Sequence, residues 1–465
     1  MNLTPNPKHI ALALVAAVGL QAQTPTDTEI RQILTERIDK LEQGVGIVVG
    51  VIDANGRRFV SHGHFSVADP RPVSDDTIFE IGSCTKVFTA TILAIMVQRG
   101  EVSLDDPVAK YLPPEVKVPQ RGGKQITLVD LATHTSGLPR LPSSSADFWA
   151  RNIDNPYADY PVAEIYRFLS GHQLTRDIGA KYEYSNLGAG LLGLALAHRA
   201  GMDYETLVRT YITGPLQMEN TRIALSPAMK TRLTPGHNFM HQPVPNWDIP
   251  EAFSGAGALR SDAQDLLTFL AAHLGYGDAP LSAALPAMTK VRRASDSPTV
   301  ERALGWAVTK GKEHEIVWHS GMTGGYSSFM GFDPKTRVGV VVLSNILIPV
   351  VDDIGLHLLD PSLPLAKLPP FVHRTAIPLA AEIFDRYAGV YQVKPGQAFT
   401  FTREGSRMFS QLNDSRKYEM LAEGEKQFFL REDDAQFTFE TDRMGRGTTV
   451  TLYQLGHKMK AKRID

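Results

Sequence analysis

The stretch FEIGSCTKVF places a serine, Ser83, three residues before a lysine, Lys86, just after a glycine and at the start of an apolar run. On a helix, residues i and i+3 lie on one face, a turn apart. A serine hydroxyl is a weak nucleophile until a neighbouring base takes its proton. A desolvated lysine near the positive end of a helix dipole is pushed toward the neutral amine that could do so. The same helix start would place the Ser83 N–H where it could help hold an oxyanion. Alone the pair says little, because a chain of this length carries roughly one or two S-x-x-K matches by chance.

Two further groups follow in a fixed order. KYEYSNLGAGLLG supplies Tyr184-Ser185-Asn186 ahead of an apolar helix, and WHSGMTGGYSSF supplies His319-Ser320-Gly321 on an expected strand. This set, S-x-x-K on a helix, Y-x-N in a loop and a cation-x-glycine on a strand, resembles the serine β-lactamase and penicillin-binding-protein superfamily. The nearer likeness is to the class C β-lactamase branch and the DD-peptidases and esterases beside it. LATHTSGLP (131–139), SGAGALRSDAQDLLTFL (254–270) and GYSSFMGFDP followed by VGVVVLSN agree with it, so the resemblance covers roughly Val45 to Asn345.

The resemblance implies an α+β fold, a five-stranded antiparallel sheet flanked by helices and joined to an all-helical subdomain. It implies Ser83 as the nucleophile that forms an acyl-enzyme. Lys86 and Tyr184 would share the general-base work, Tyr184 as a tyrosinate beside Lys86⁺ or neutral Lys86 directly, and the sequence leaves both open. Asn186 would hydrogen-bond the acyl side chain of the substrate. Gly321 would let the strand approach the substrate, and the Met322 N–H would complete an oxyanion hole with that of Ser83. No cofactor or metal is called for.

His319 departs from the family pattern, since the β-lactamases usually carry lysine there and a histidine is charged only part of the time near neutral pH. Thr85 stands where the class C pattern favours a smaller residue. Three functions follow: a hydrolase of β-lactams and/or D-alanyl peptides, a carboxylesterase or amidase with the same Ser-Lys-Tyr machinery, or a slowly deacylating penicillin-binding protein or sensor.

The elements that must position these residues can be read along the chain. With 465 residues, 43% of them hydrophobic, the chain can hold two cores. Lys plus Arg (48) nearly balance Asp plus Glu (50), and no basic cluster interleaved with aromatics suggests a nucleic-acid surface. The expected partner is a small-molecule or peptide substrate; the oligomeric state is left open. Lys8 followed by the apolar run Ile10 to Leu20 has the layout of a signal peptide over 1–22, too short to span a bilayer. With one cysteine, Cys84, and no possible intrachain disulfide, a bacterial periplasmic or secreted location is expected.

TEIRQILTERIDKLEQ has apolar residues at helical spacing, and Asn55-Gly56 between two β-rich runs signals a hairpin. Helical patterns dominate from about Ile81 to Leu274, and strands return at HEIVWHSG, GYSSFMGF and VGVVVLSN, so one sheet is expected from both ends of a domain spanning 28–355. Five prolines, at 361, 364, 369, 370 and 378, mark 356–379 as a linker. Short alternating runs then predict a small all-β, barrel-like domain over 380–465.

Other residues have plainer readings. His134 is a loop histidine satisfied by backbone, Tyr182 packs against the LGAGLLG helix, and Cys84 is a small buried helix residue. His62 and His64 share a strand face, without a third and fourth ligand at a recognisable spacing. Trp149 and Trp247 lie in loop-rich stretches that could edge a cleft or pack in a core.

Overall fold

The computed structural model describes residues 24–465 apart from 146–147, 149–151, 153–154, 278–280, 312–313, 349–350, 414–416, 431–433 and 455–456. The expected signal segment, 1–22, and Trp149 lie outside the described residues.

Helix α1 (Asp27–Thr35) begins with a capping box, in which the Thr26 hydroxyl accepts from Glu29 N while the Glu29 carboxylate accepts from Thr26 N. It leads into the hairpin of β1 (Gly46–Asp53) and β2 (Gly56–Gly63). Asp53 pairs with Gly56, so Ala54 and Asn55 form the turn and Gly56, at φ +114, begins the second strand. That is one residue earlier than the Asn-Gly signal suggests.

Three long strands complete the sheet late in the chain: β3 (Glu315–Met322), β4 (Ser327–Asp333) and β5 (Val338–Ser344). The order is β2-β1-β5-β4-β3, and every pairing is antiparallel. Beyond these five, the short strands Ala307–Lys310, Val300–Arg302 and Arg293–Ala294 extend the sheet to eight. Their brevity and mixed composition hide them from pattern reading, which sees only the long runs.

Both faces of the sheet are covered, which is why β4 and β5 are buried along their whole length. Val338, Val340 and Val342 face one side with Ile47, Val49, Val51 and α1, whereas Val341 and Leu343 face the other, packed with helices α2 (Thr85–Gln98), α3 (Asn186–Ala200) and α4 (Ala263–His273). The period of two in the sequence becomes two cores. Helix α5 (Asp352–Leu359) closes the first face, with Ile354, Leu358 and Leu359 buried in it and Asp353 paired with Arg37 behind α1. It crosses the boundary expected at 355, because apolar spacing continues through Leu359 before the first proline at 361.

After an extended stretch, helix α6 (Ala381–Tyr387) leads into eight strands, from Gly389–Lys394 to His457–Arg463. The first pairs with the last, Tyr391 with Arg463 and Gln392 with Lys462, and the barrel is closed. Its interior is packed with Tyr391, Phe399, Phe401, Phe428, Phe437 and Phe439, and α6 adds Phe384 and Tyr387.

Candidate active site

Ser83 sits in a short turn, Gly82–Cys84, that runs directly into α2. Two glycines let this turn press against β3. Gly82 has φ +46, and a Cβ there would lie 2.6 Å from the Met322 carbonyl oxygen and 2.8 Å from Met322 N. A Cβ on Gly321 would lie 2.0 Å from Ile81 O and 2.8 Å from Ser83 N. The side chain that Gly321 lacks would therefore collide first with the serine turn, not with a substrate. Backbone rests on backbone, and the Ser83 and Met322 main chains are brought side by side while the Met322 side chain stays 51% exposed.

Lys86 is buried on the first turn of α2. Its Nζ lies 2.8 Å from Ser83 Oγ and 2.7 Å from the Ala256 carbonyl oxygen. Burial, followed by the positive field of Arg140, holds the amine well below the ordinary lysine value. No carboxylate among the described residues pairs with it. The segment that supplies Ala256 is fastened to α2 twice more: Thr89 donates to Gly255 O at 2.7 Å, and Thr85 Oγ1 accepts from Leu259 N at 3.2 Å. The larger residue at position 85 thus has a structural task.

Tyr184 lies over the same site. The Lys86 nitrogen is 4.9 Å and the Arg140 guanidinium carbon 5.1 Å from its ring centre. Burial raises the phenol above its ordinary value, opposed by a hydrogen bond with Ser83 and by Arg140. His134 holds the loop from below: Nδ1 accepts the Ser185 N–H at 3.1 Å, its carbonyl accepts the Glu183 N–H at 2.9 Å, and its ring centre lies 4.6 Å from that of Tyr184. Burial pushes the His134 imidazole well below its usual range, so the ring nitrogen is free to accept.

Ser185 caps α3 by accepting from Gly188 N at 2.8 Å, which sets Asn186 on the first turn. Asn186 Nδ2 donates to the Tyr157 hydroxyl at 2.8 Å, while its buried Oδ1 has no partner among the described residues. Tyr157 packs edge-on against Trp247, at 5.5 Å between ring centres, and Phe253, at 5.1 Å.

His319 lies on β3, with 6.3 Å between its ring centre and that of Tyr184. Its Nδ1 is 2.6 Å from Ser320 O, and since a carbonyl can only accept, Nδ1 carries the proton and Nε2 presents a lone pair. Burial pushes its pKa down to about 3, and the fields of Lys86 and then Arg302 add to this, opposed by the hydrogen bond to Ser320 O. The partial positive charge expected at neutral pH is therefore corrected to a neutral ring, because the imidazole is enclosed and faces cations.

Cys84, beside the serine, is pushed up to about 12 by burial, and its Sγ lies 3.3 Å from Ser328 Oγ, so it is no rival nucleophile. His62 is engaged by Asp39, with Nε2 2.9 Å from each carboxylate oxygen. The described residues contain no group of three or more His, Cys, Asp or Glu that could hold a metal.

Ser83, Lys86, Tyr184, Asn186, His319, Gly321 and Met322 thus converge from the start of α2 and the turn before it, the start of α3 and the loop before it, and β3. An amine held below its ordinary pKa against a hydroxyl, a phenol raised above its own and two adjacent main chains can support acyl transfer to the serine. Sequence reasoning missed Ala256, Arg140 and Tyr157. Ala256 lies in a quoted motif but acts through its carbonyl, and the other two sit in irregular segments without periodicity.

A model of the beta-lactamase family matches residues 32–360, and a model of a domain of unknown function (DUF3471) matches 373–464. D-alanyl-D-alanine-carboxypeptidase/endopeptidase AmpH of Escherichia coli (strain K12) is 31% identical over 347 residues, covering 69% of this chain and 86% of its own. A beta-lactamase of Providencia stuartii is 32% identical over 265 residues, 56% of this chain and 63% of its own. Among solved structures, a class C beta lactamase from Rhodobacter sphaeroides superposes with a TM-score of 0.58 at 27% identity, covering 69% of this chain and 95% of its own. A beta-lactamase/D-alanine carboxypeptidase from Yersinia pestis gives 0.59 at 27% identity, over 69% of this chain and 92% of its own. With the family model spanning most of the chain and the site on the same fold, the chain belongs to the beta-lactamase family of serine hydrolases, in its class C-like branch.

Proposed function

We propose that the chain hydrolyses amide bonds of β-lactams and/or D-alanyl peptides through an acyl-enzyme on Ser83. The observation that carries this is the Lys86 nitrogen, 2.8 Å from Ser83 Oγ, buried and held below the ordinary lysine value. Of the two base assignments, the burial of both groups favours neutral Lys86, because desolvation drives a lysine toward its basic form and a tyrosine away from its own. Lys86 takes the Ser83 proton as Oγ attacks the carbonyl carbon. Tyr184, as a neutral phenol hydrogen-bonded to Ser83, passes a proton to the leaving nitrogen and is reprotonated through Lys86. The Ser83 and Met322 N–H groups hold the oxyanion, and Asn186 Oδ1 accepts an N–H from the acyl side chain. AmpH and the Providencia enzyme carry carboxypeptidase and beta-lactamase in their names, which supports this substrate class.

A second reading, carboxylesterase or amidase, is favoured by one observation: the neutral His319 supplies no cation for a carboxylate on the leaving side. A mass-spectrometric time course with a fluorescent penicillin and, in parallel, p-nitrophenyl butyrate separates the readings. A Ser83 adduct that clears with product supports the first. Ester turnover without a penicillin adduct moves the assignment to an esterase, a persistent adduct moves it to a penicillin-binding protein or sensor, and neither adduct nor turnover with either compound sinks all three. Export to the periplasm or medium belongs to the same proposal, resting on Lys8 and the apolar run after it; an unprocessed N-terminus on protein recovered from the producing cell's periplasm or medium would count against it.

A further inference from the structure

Two arginines flank the site with no carboxylate partner among the described residues. Arg302 lies 4.5 Å from the Tyr182 ring centre, its Nε is enclosed without a partner, and its field reaches His319. Arg140 has its guanidinium over Tyr184, its field reaches Lys86 and Tyr157, and the residue is exposed. Neighbouring arginines are occupied, Arg176 by Glu183 at 2.6 Å and Arg260 by Asp248 at 2.8 Å.

The place of Arg140 is fixed by its own backbone. Its carbonyl accepts the N–H groups of Asn186, at 3.0 Å, and Leu187, at 3.1 Å, so the residue is tied to the start of α3. Its charge lies over Tyr184 and reaches Tyr157, the partner of Asn186 Nδ2, while the enclosed Asn186 Oδ1 lacks a donor among the described residues. An N–H to satisfy Asn186 and an anion to satisfy Arg140 would have to arrive together from the same side of the nucleophile. A planar guanidinium with its donors unused matches a carboxylate bidentately.

We propose that Arg140 is a specificity residue that receives a carboxylate on the acyl portion of the substrate, so that the enzyme selects acyl donors that are acidic on that side. This rests on the acyl-enzyme reading of Ser83. Arg302 is half-buried with its Nε enclosed, whereas Arg140 is an exposed cation over Tyr184, and its backbone tie to Asn186 places anion recognition on the acyl side.

The test compares mono-p-nitrophenyl adipate with p-nitrophenyl hexanoate, which share an acyl chain length and differ in a terminal carboxylate. The wild-type ratio of kcat/KM, adipate over hexanoate, should fall about 10-fold or more in Arg140→Gln, mainly through KM for the adipate. Arg140→Lys should retain part of the ratio, Arg140→Glu should lower it further, and added salt should erode it in the wild type. Using the ratio cancels any effect of Arg140 on Lys86, which acts on both esters alike. An unchanged ratio in Arg140→Gln, or a ratio lost in Arg302→Gln but kept in Arg140→Gln, overturns the assignment. If hexanoate leaves a Ser83 acyl adduct in every variant while the ratio stays constant, only the Arg140 proposal fails. If neither ester acylates Ser83 in the wild type, the hydrolase reading has failed first and takes this proposal with it.

Discussion

The hydrolase region and the barrel treat ionisable groups in opposite ways. The barrel fills its interior with rings, Phe439 touching Tyr387, Tyr391, Phe401 and Phe428, and keeps its ion pairs, such as Arg403–Asp385 and Lys460–Glu440, near the surface. The hydrolase region encloses Lys86, His134, His319, Glu80 and Arg260 among apolar neighbours. Enclosing such groups is unfavourable and displaces their pKa values. A region that tolerates this cost around one serine has its chemistry there, whereas the barrel has the composition of a packing unit.

The largest expected break in this comparison is at the serine. Ser83→Ala should lower turnover by roughly 10⁵-fold or more with unfolding unchanged by circular dichroism, and retained turnover would remove the assignment. Phe439→Ala should do the reverse, destabilising the barrel by about 3 to 5 kcal/mol while leaving kcat of the soluble enzyme intact; a matching fall in kcat would show that the barrel shapes the site. Gly321→Ala drives a Cβ into Ile81 O and Ser83 N, so a loss of about 1 to 3 kcal/mol is expected, together with roughly 10²-fold in acylation rate, read by denaturant melts and stopped-flow.

His319→Gln sharpens the comparison through pH. An unfolded histidine binds a proton below about 6.5, whereas His319 in the fold does so only near 3, so acid pulls the wild type toward the unfolded state. Relative to His319→Gln, the wild type should lose about 2 kcal/mol between pH 7.5 and pH 5, and parallel stability curves would contradict its enclosure. The smallest effect belongs to a shortened chain. Phe371 donates its N–H to Leu41 O at 2.7 Å and packs near Phe239 and His241, so the cut belongs after His373. That chain should fold and acylate at the full-length rate by the same mass measurement, and insolubility would mean that the barrel completes the hydrolase core.

Much of the site was legible because its chemistry is written in short spacings. Ser83 with Lys86, Tyr184 with Asn186, and His319 with Gly321 each lie within a turn or two of chain, and the long strands and the β1–β2 hairpin announce themselves by alternation. What stayed hidden depends on distant segments meeting. Arg140 reaches the site where its carbonyl accepts the first N–H groups of α3, and Tyr157 where its hydroxyl accepts from Asn186 Nδ2. The charge state of His319 depends on enclosure, which a residue type cannot state. The three short strands between Arg293 and Lys310 lack the length to show a period, and the helix crossing 355 was hidden by the prolines just after it.

The extended stretch between the regions carries one more consequence. Gln43 Nε2 donates to Pro369 O at 2.9 Å and His373 meets Glu42 at 2.6 Å, while Arg374 meets Glu423 at 2.8 Å and Ile377 N donates to Ala422 O at 2.8 Å. Ownership of the chain passes from one body to the other across a single peptide bond, between His373 and Arg374. A graft made at that bond leaves both sets of anchors whole, which makes it the natural splice point for exchanging this barrel with that of another hydrolase.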